Sequence, residues 1–225
     1  MSIRELLPSA DLASFVDVYW WSDSEADVRI IPDGCADVIF DGSGALVVGT
    51  MTKPLRTRST EGMFGIRFRP GRAALAIRAP LTEVTDARVP LRDVTRRFPP
   101  LDPDRIETVE TAMRKLFADS RPDRRVDAAV DAIIRSGGRA TIDRVAAAAG
   151  VSRQHLARAF AYHVGVSPKT FARVMRFRRA LKLAGGHNWA DLAAELGYFD
   201  QSHLIADFRE FAGTTPVPFF LSRAE

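Results

Sequence analysis

Gln201, Ser202 and His203 open the helical part of "GYFDQSHLIADFREFAGTTP", and Arg153, Gln154, His155 and Arg158 stand in a similar place in "VSRQHLARAF". An enzyme could set such side chains on a substrate. A DNA reader could set them on base edges, where Arg bonds guanine bidentately, Gln bonds adenine, and a small residue such as Ala157 meets only a thymine methyl. Cys35, the only cysteine, offers another chemistry as a redox sensor or nucleophile. Activation needs a cation or base nearby, and Asp33 and Asp37 push the thiol the other way, so a buried small apolar residue is the competing reading. Asp33, Asp37 and Asp41 could at most form a carboxylate-only metal site. The histidines are His155, His163, His187 and His203, so the first half has none and cannot supply the usual imidazole ligands of a metal-dependent oxygenase or isomerase. No metal and no cofactor is expected, nor any enzyme activity.

Charge location favours the DNA alternative. Between residues 139 and 182 stand Arg139, Arg144, Arg153, Arg158, Lys169, Arg173, Arg176, Arg178, Arg179 and Lys182 against the single acid Asp143. Such a run suits a polyanion, although a solvated helix face would also carry one. The remainder is different: residues 183–225 hold Arg209 and Arg223 against Asp191, Glu195, Asp200, Asp207, Glu210 and Glu225. No stretch approaches the roughly 18 apolar residues of a membrane span, and "MSIRELLPSADL" lacks the apolar centre of a signal peptide, so a cytoplasmic protein with no membrane partner is expected.

The elements that must position these residues fall into two classes. "FVDVYWW", "ADVIF", "ALVVGT" and "GMFGIRFRP" are β-rich runs separated by turn signals such as "PDG" and "DGSG". They predict a small sandwich or barrel over residues 1–98. "RFPPLDPD" interrupts both helix and sheet and reads as a boundary. Ile106, Val109, Met113 and Leu116 then recur at helical spacing within a linker over 99–120. This seam could hold a second copy, making a homodimer, or pack on the chain's own strands.

Residues 121–225 read as all-helical, with two similar units. In "TIDRVAAAAGVSRQHLARAF", Thr141 and Ser152 can cap helices, Gly150 permits the turn, and Leu156 and Phe160 face inward. In "NWADLAAELGYFDQSHLIADFREF", Asn188, Asp200, Gly197, Leu204 and Phe208 repeat those roles, with one more residue between the glycine and the first inward leucine. Each unit is a helix-turn-helix pattern, and between them "SPKTFARVMRFRRALKLA" predicts a rigid linking helix capped by Ser167.

The order and spacing of "VAAAAGVSRQHLARAF", "VGVSPKTFARVMRFRRAL" and "LAAELGYFDQSHLIADFREFAGTTP" resemble the AraC/XylS transcription regulators over about residues 122–220. The resemblance implies that the second helix of each unit enters one of two successive major-groove segments of double-stranded DNA. Gln154 and Arg158 would then be base-facing, Arg153 a phosphate or base contact, and His155 a neighbour. Gln201, Ser202 and His203 would occupy the second contact site, with Arg209 beside it, and RNA polymerase becomes a family-implied partner. Arg173, Arg176 and Arg179 are expected to face phosphate. Ala206 and Phe220 depart from the family, which often has Arg at both, and with the acidic balance they predict a weaker electrostatic grip by the second unit.

"IIPDGCADVIF", "GIRFRPGRAALAI" and "PLTEVTDARVPL" resemble the cupin-like sensor domain attached to some such regulators. That resemblance implies a small-molecule effector, for which Trp20, Trp21, Arg67 and Arg69 are candidate contacts. The fold class expected is therefore α+β: a cupin-like β-sandwich or barrel followed by an all-α domain with two helix-turn-helix units joined by a linker helix. Two rival functions stay open, a ligand-independent DNA binder and a Cys35-based redox sensor or enzyme fused to a DNA-binding domain.

Overall fold

The computed structural model describes residues 3–184 and 188–221. His187, Arg223 and Glu225, counted above, lie outside the described residues. Among the described residues the first half forms two antiparallel sheets. The larger has six strands: β1 (Ile3–Leu6), β2 (Val16–Ser22), β4 (Ala36–Asp41), β5 (Gly44–Val48), β7 (Phe64–Phe68) and β8 (Arg88–Pro90), in the order β1-β2-β7-β4-β5-β8. The smaller pairs β3 (Ala26–Ile30) with β6 (Leu55–Ser59). Period-2 alternation works as expected in β7, where Phe64, Ile66 and Phe68 are buried and Arg67 is only half-buried. Of the short helices, α1 (Ala73–Ile77) packs against α3 (Ile106–Phe117) and the helical half, and α2 (Leu91–Val94) against β5 and β8.

The seam helix settles where the chain divides. α3 (Ile106–Phe117) does not bridge two domains or await a second copy. Val109, Met113, Leu116 and Phe117 are buried in the same apolar cluster as Tyr19, Phe64 and Phe68, and Ile106 packs at its edge. Phe117 stacks on Phe15 at 4.4 Å, and Arg114 binds Asp11 at 2.7 Å on the outer side. The dimer seam proposed from the sequence is thus corrected to intrachain core: the apolar face has a sheet to cover, and Val109 and Met113 are fully enclosed by it. Accordingly, 99–120 belongs with the β half rather than acting as a free linker.

The second half contains α4 (Arg124–Arg135), α5 (Ile142–Ala148), α6 (Arg153–Val164), α7 (Pro168–Leu183), α8 (Trp189–Leu196), α9 (Gln201–Ala212) and α10 (Pro216–Leu221). Each expected cap is made: the side chains of Thr141, Ser152, Ser167, Asn188 and Asp200 accept from Arg144, His155, Thr170, Ala190 and His203 backbone N–H groups, respectively. Such caps satisfy donors that a helix start leaves unpaired. Gly150 and Gly197 turn with φ of 67° and 73°, the left-handed region that side chains with a Cβ resist. Leu156 and Phe160 centre one cluster with α4 and α5, while Leu204 and Phe208 centre another with α8 and α10. α7 contributes Phe171 to the first and Phe177 to the second, so one rigid element fixes both units.

Candidate nucleic-acid interface

Burial of Leu156 and Phe160 decides which side of α6 remains outside. Arg153, Gln154, Ala157 and Arg158 are exposed there. The helix start also presents its positive dipole end, which favours an anion such as phosphate. Arg153 reaches Asp143 at 3.3 Å, with both side chains about two-thirds exposed, a loose pair that phosphate can displace. His155 is tied down: its Nε2 lies 3.3 Å from an Arg125 guanidinium nitrogen of α4.

α9 repeats the geometry with different chemistry. Gln201, Ser202 and Arg209 are exposed, as is Ala206 on the same side. Asp200 accepts from the His203 backbone N–H at 2.9 Å and lies 3.0 Å from its Nδ1. Those two bonds hold the Asp200 carboxyl below the usual carboxylate range, the backbone bond contributing most. His203 is therefore part of the cap as well as of the outer face. Phe199, in the turn just before, is 90% exposed with its ring 5.7 Å from that of His203. Sequence reasoning passed over Phe199, whose signal was an aromatic residue in a turn between two otherwise satisfied core positions.

Two of the linker-helix arginines, Arg173 and Arg176, require a correction. Arg173 binds Asp207 at 2.6 Å and Glu210 at 2.5 Å while lying over the Phe211 ring, so it joins α7 to α9 rather than facing phosphate. Arg176 donates to the carbonyls of Gly138 and Gly197 at 2.8 and 3.3 Å and covers the Tyr198 ring. It links the entry of the first unit to the turn of the second. Arg179 lies along Gly137, where an added Cβ would come 2.8 Å from its Cδ. Helical periodicity assigned these residues to a face but could not supply the neighbours on it.

The β half contains a cavity of about 250 Å³ between the larger sheet and the inner face of the two-stranded β3–β6 sheet. Its walls include Ile30, Ile39, Met51 and Met63, with Asp33, Asp37 and Arg67 at a polar end. Trp20 donates from Nε1 to Asp37 at 2.9 Å, and Arg67 lies 3.3 Å from Asp37 and 3.4 Å from Asp33. Burial pushes the Asp37 carboxyl up, opposed by Arg67. The same burial, reinforced by Asp33, pushes the Cys35 thiol far up, so it does not resemble an activated thiolate. Cys35 keeps partial exposure only beside this cavity. Trp20 and Arg67 thus line it as expected. Trp21 and Arg69 do not: Trp21 faces the opposite core and donates to the Pro103 carbonyl, while Arg69 is exposed and donates to that of Ala13. Alternation sends neighbouring strand residues to opposite faces. Among the described residues no group of three or more His, Cys, Asp or Glu could hold a metal ion.

Several contacts join this half to the helical half, among them the Arg72–Asp127 ion pair at 2.6 Å. Thr50, between cavity-lining Gly49 and Met51, donates at 2.7 Å to the Val164 carbonyl at the end of α6. Thr85 donates to Gly165 next to it, also at 2.7 Å. Gly34, between cavity-lining Asp33 and Cys35, lies so close to α7 that an added Cβ would fall 2.4 Å from the Phe171 ring.

Comparison with family models matches residues 145–220 to a helix-turn-helix domain. The chain carries an AraC-type DNA-binding domain. The AraC-type match spans the end of α5 through α10, hence both reading helices, and makes the protein a DNA-binding transcription regulator. Residues 4–90 match a domain of unknown function, DUF6597. No curated protein matches the sequence. Among solved structures, ToxT from Vibrio cholerae O395 is 11% identical with a TM-score of 0.42, covering 97% of this chain and 95% of that one. ToxT bound to (E)-4-(8-methylnaphthalen-1-yl)but-3-enoic acid gives 12%, 0.43, 98% and 97%, in the same order. Unsaturated fatty acid bound ToxT from strain SCE256 gives 11%, 0.38, 97% and 93%. Likeness at this level does not bear on the ligand of the present cavity. Among the described residues no helix is long and apolar enough to cross a membrane.

Proposed function

We propose that this AraC-type regulator reads two successive major-groove segments with α6 and α9, and that a small molecule in the β-half cavity sets its affinity for DNA. Base contacts are assigned to Gln154 and Arg158 in α6 and to Gln201 and Ser202 in α9, with Arg153 and Arg209 on phosphate. Arg and Gln at helix starts are suited to guanine and adenine edges. At about 250 Å³ the cavity suits a small ligand with an apolar body and a polar head directed at Asp33, Asp37 and Arg67.

The observation that carries effector control is the position of Thr50 and Gly34, each set between two cavity-lining residues and each touching an element of the DNA-binding half. A ligand that displaces either wall has different contacts in the two positions of that wall, which is the requirement for shifting a conformational equilibrium. The test is a small-molecule screen read by Trp20 fluorescence, followed by DNA anisotropy on a duplex selected by the protein. A ligand that perturbs wild-type emission, leaves Trp20→Phe silent and changes duplex affinity is the expected result. Ligands that bind the cavity without altering duplex affinity would contradict effector control and favour the ligand-independent binder.

A further inference from the structure

The outer face of the two-stranded β3–β6 sheet and one face of α7 border a larger cleft of about 950 Å³, separate in chemistry from the cavity on the inner side of that sheet. Strand alternation builds its wall. Val28, Ile30, Leu55 and Thr57 point inward to the cavity, so Asp27, Arg29, Arg56 and Arg58 fall on the outer face, with Arg29 also bordering the cavity. There Arg29 stands directly opposite Arg56, and like charges directly opposite one another are destabilising. Of the adjacent acids, Glu25 binds Arg58 at 2.8 Å, and Asp27, which also lines the cleft, stands opposite that same Arg58 in the register.

Across the cleft α7 contributes Arg178, Leu181 and Lys182, which helical spacing places on one side, and α10 contributes Phe219. Among the described residues the side chains of Arg29, Arg56, Arg178 and Lys182 make no hydrogen bond or ion pair. Four cations converge on one concavity from two domains, and none is neutralised by the protein. An anion bound between them relieves the Arg29–Arg56 opposition. The cleft volume lies in the range of small-molecule sites, so the anion is a small molecule.

We propose that this cleft binds a small polyanion, a molecule with two or more phosphate or carboxylate groups, clasped between the β3–β6 sheet and α7. Arg29 and Arg56 bind one end with planar, bidentate guanidinium groups, and Arg178 and Lys182 bind the other. Occupancy thereby ties the β half to the linker helix. The site stands independently of the cavity effector.

Calorimetric titration of the full chain with tripolyphosphate and with citrate, at ionic strength held constant with KCl, tests this. Saturable one-site binding is expected for at least one anion, and which one binds distinguishes phosphate from carboxylate chemistry. The double variant R56Q/R178Q should bind more than about tenfold more weakly, because each lost charge-assisted bond is worth about 1.5 kcal/mol or more. R92Q, altered at an exposed side chain outside the cleft, should bind like wild type. An unchanged or higher Tm in R56Q/R178Q keeps the comparison independent of folding. No saturable binding of either anion, or equal affinity in wild type and R56Q/R178Q, overturns the proposal. So does loss of affinity for random duplex DNA alone, which would make the cleft a backbone contact.

Discussion

The two helix-turn-helix units share a scaffold and differ in charge. Both turn at a left-handed glycine, both cap the reading helix with a side-chain oxygen, and both bury Leu and Phe four residues apart beneath it. Yet α6 carries Arg153 and Arg158 outward, whereas α9 carries Gln201, Ser202 and Ala206, with Asp191, Glu195 and Glu210 exposed around it. Geometry therefore does not apportion DNA affinity between the units. Counterion release follows the cations that meet phosphate, and the acids exposed around α9 oppose that contribution in the second unit.

Sameness of scaffold gives the largest expected effects. Phe160→Ala and Phe208→Ala should each cost about 3–5 kcal/mol, measured by urea unfolding of helical circular dichroism. A cost confined to one unit would break the equivalence. Next is Arg173→Ala, which leaves Asp207, with its side chain only 7% exposed, without its cation. About 2 kcal/mol or more of stability should be lost, somewhat below a fully buried pair because Arg173 is partly exposed. Its salt dependence of DNA binding should stay that of wild type; a slope reduced by about one would restore the phosphate contact discarded above.

Smaller effects sharpen the chemical difference. Arg158→Ala should lose about 1–3 kcal/mol of discrimination at one or two base pairs in the segment read by α6. Uniform weakening at every position would instead make Arg158 a phosphate contact. The smallest effect concerns His163 at the junction of the halves, whose pKa is lowered from 6.5, first by burial and with a contribution from Arg72 that Asp123 opposes. Its neutral form is favoured in the folded state, so the contribution to stability is present above pH 6.5 and is lost as pH falls through the lowered folded value. Tm against pH should decline less steeply on the acid side in His163→Gln; parallel curves would remove this assignment.

Much of the helical half was legible because its determinants are local. Caps, turn glycines and inward residues lie within a few positions of one another, and Thr141, Ser152, Ser167, Asn188 and Asp200 all act as read. Trp20 and Arg67 were found as cavity residues, but their relation to Asp33 and Asp37 required the sheet register. What escaped was non-local. The partners of Arg173 lie 34 and 37 residues away, and nothing in the α3 periodicity says whether a sheet or another chain covers it. The paired strands "ADVRI" and "LRTRS" alternate apolar or small residues with charges, a weaker β signal than the aromatic runs, so the wall dividing cavity from cleft went unread.

Selection of bound duplexes from a random pool, run in parallel with wild type, Arg158→Ala and Gln201→Ala, tests the central claim most directly. Wild type should enrich two short segments about 10 base pairs apart, the more strongly constrained one read by α6. Arg158→Ala should relax that segment alone, and Gln201→Ala should relax the other more mildly. A single segment, or a motif unaffected by Arg158→Ala but abolished by Gln201→Ala, would contradict two-helix reading dominated by the basic unit.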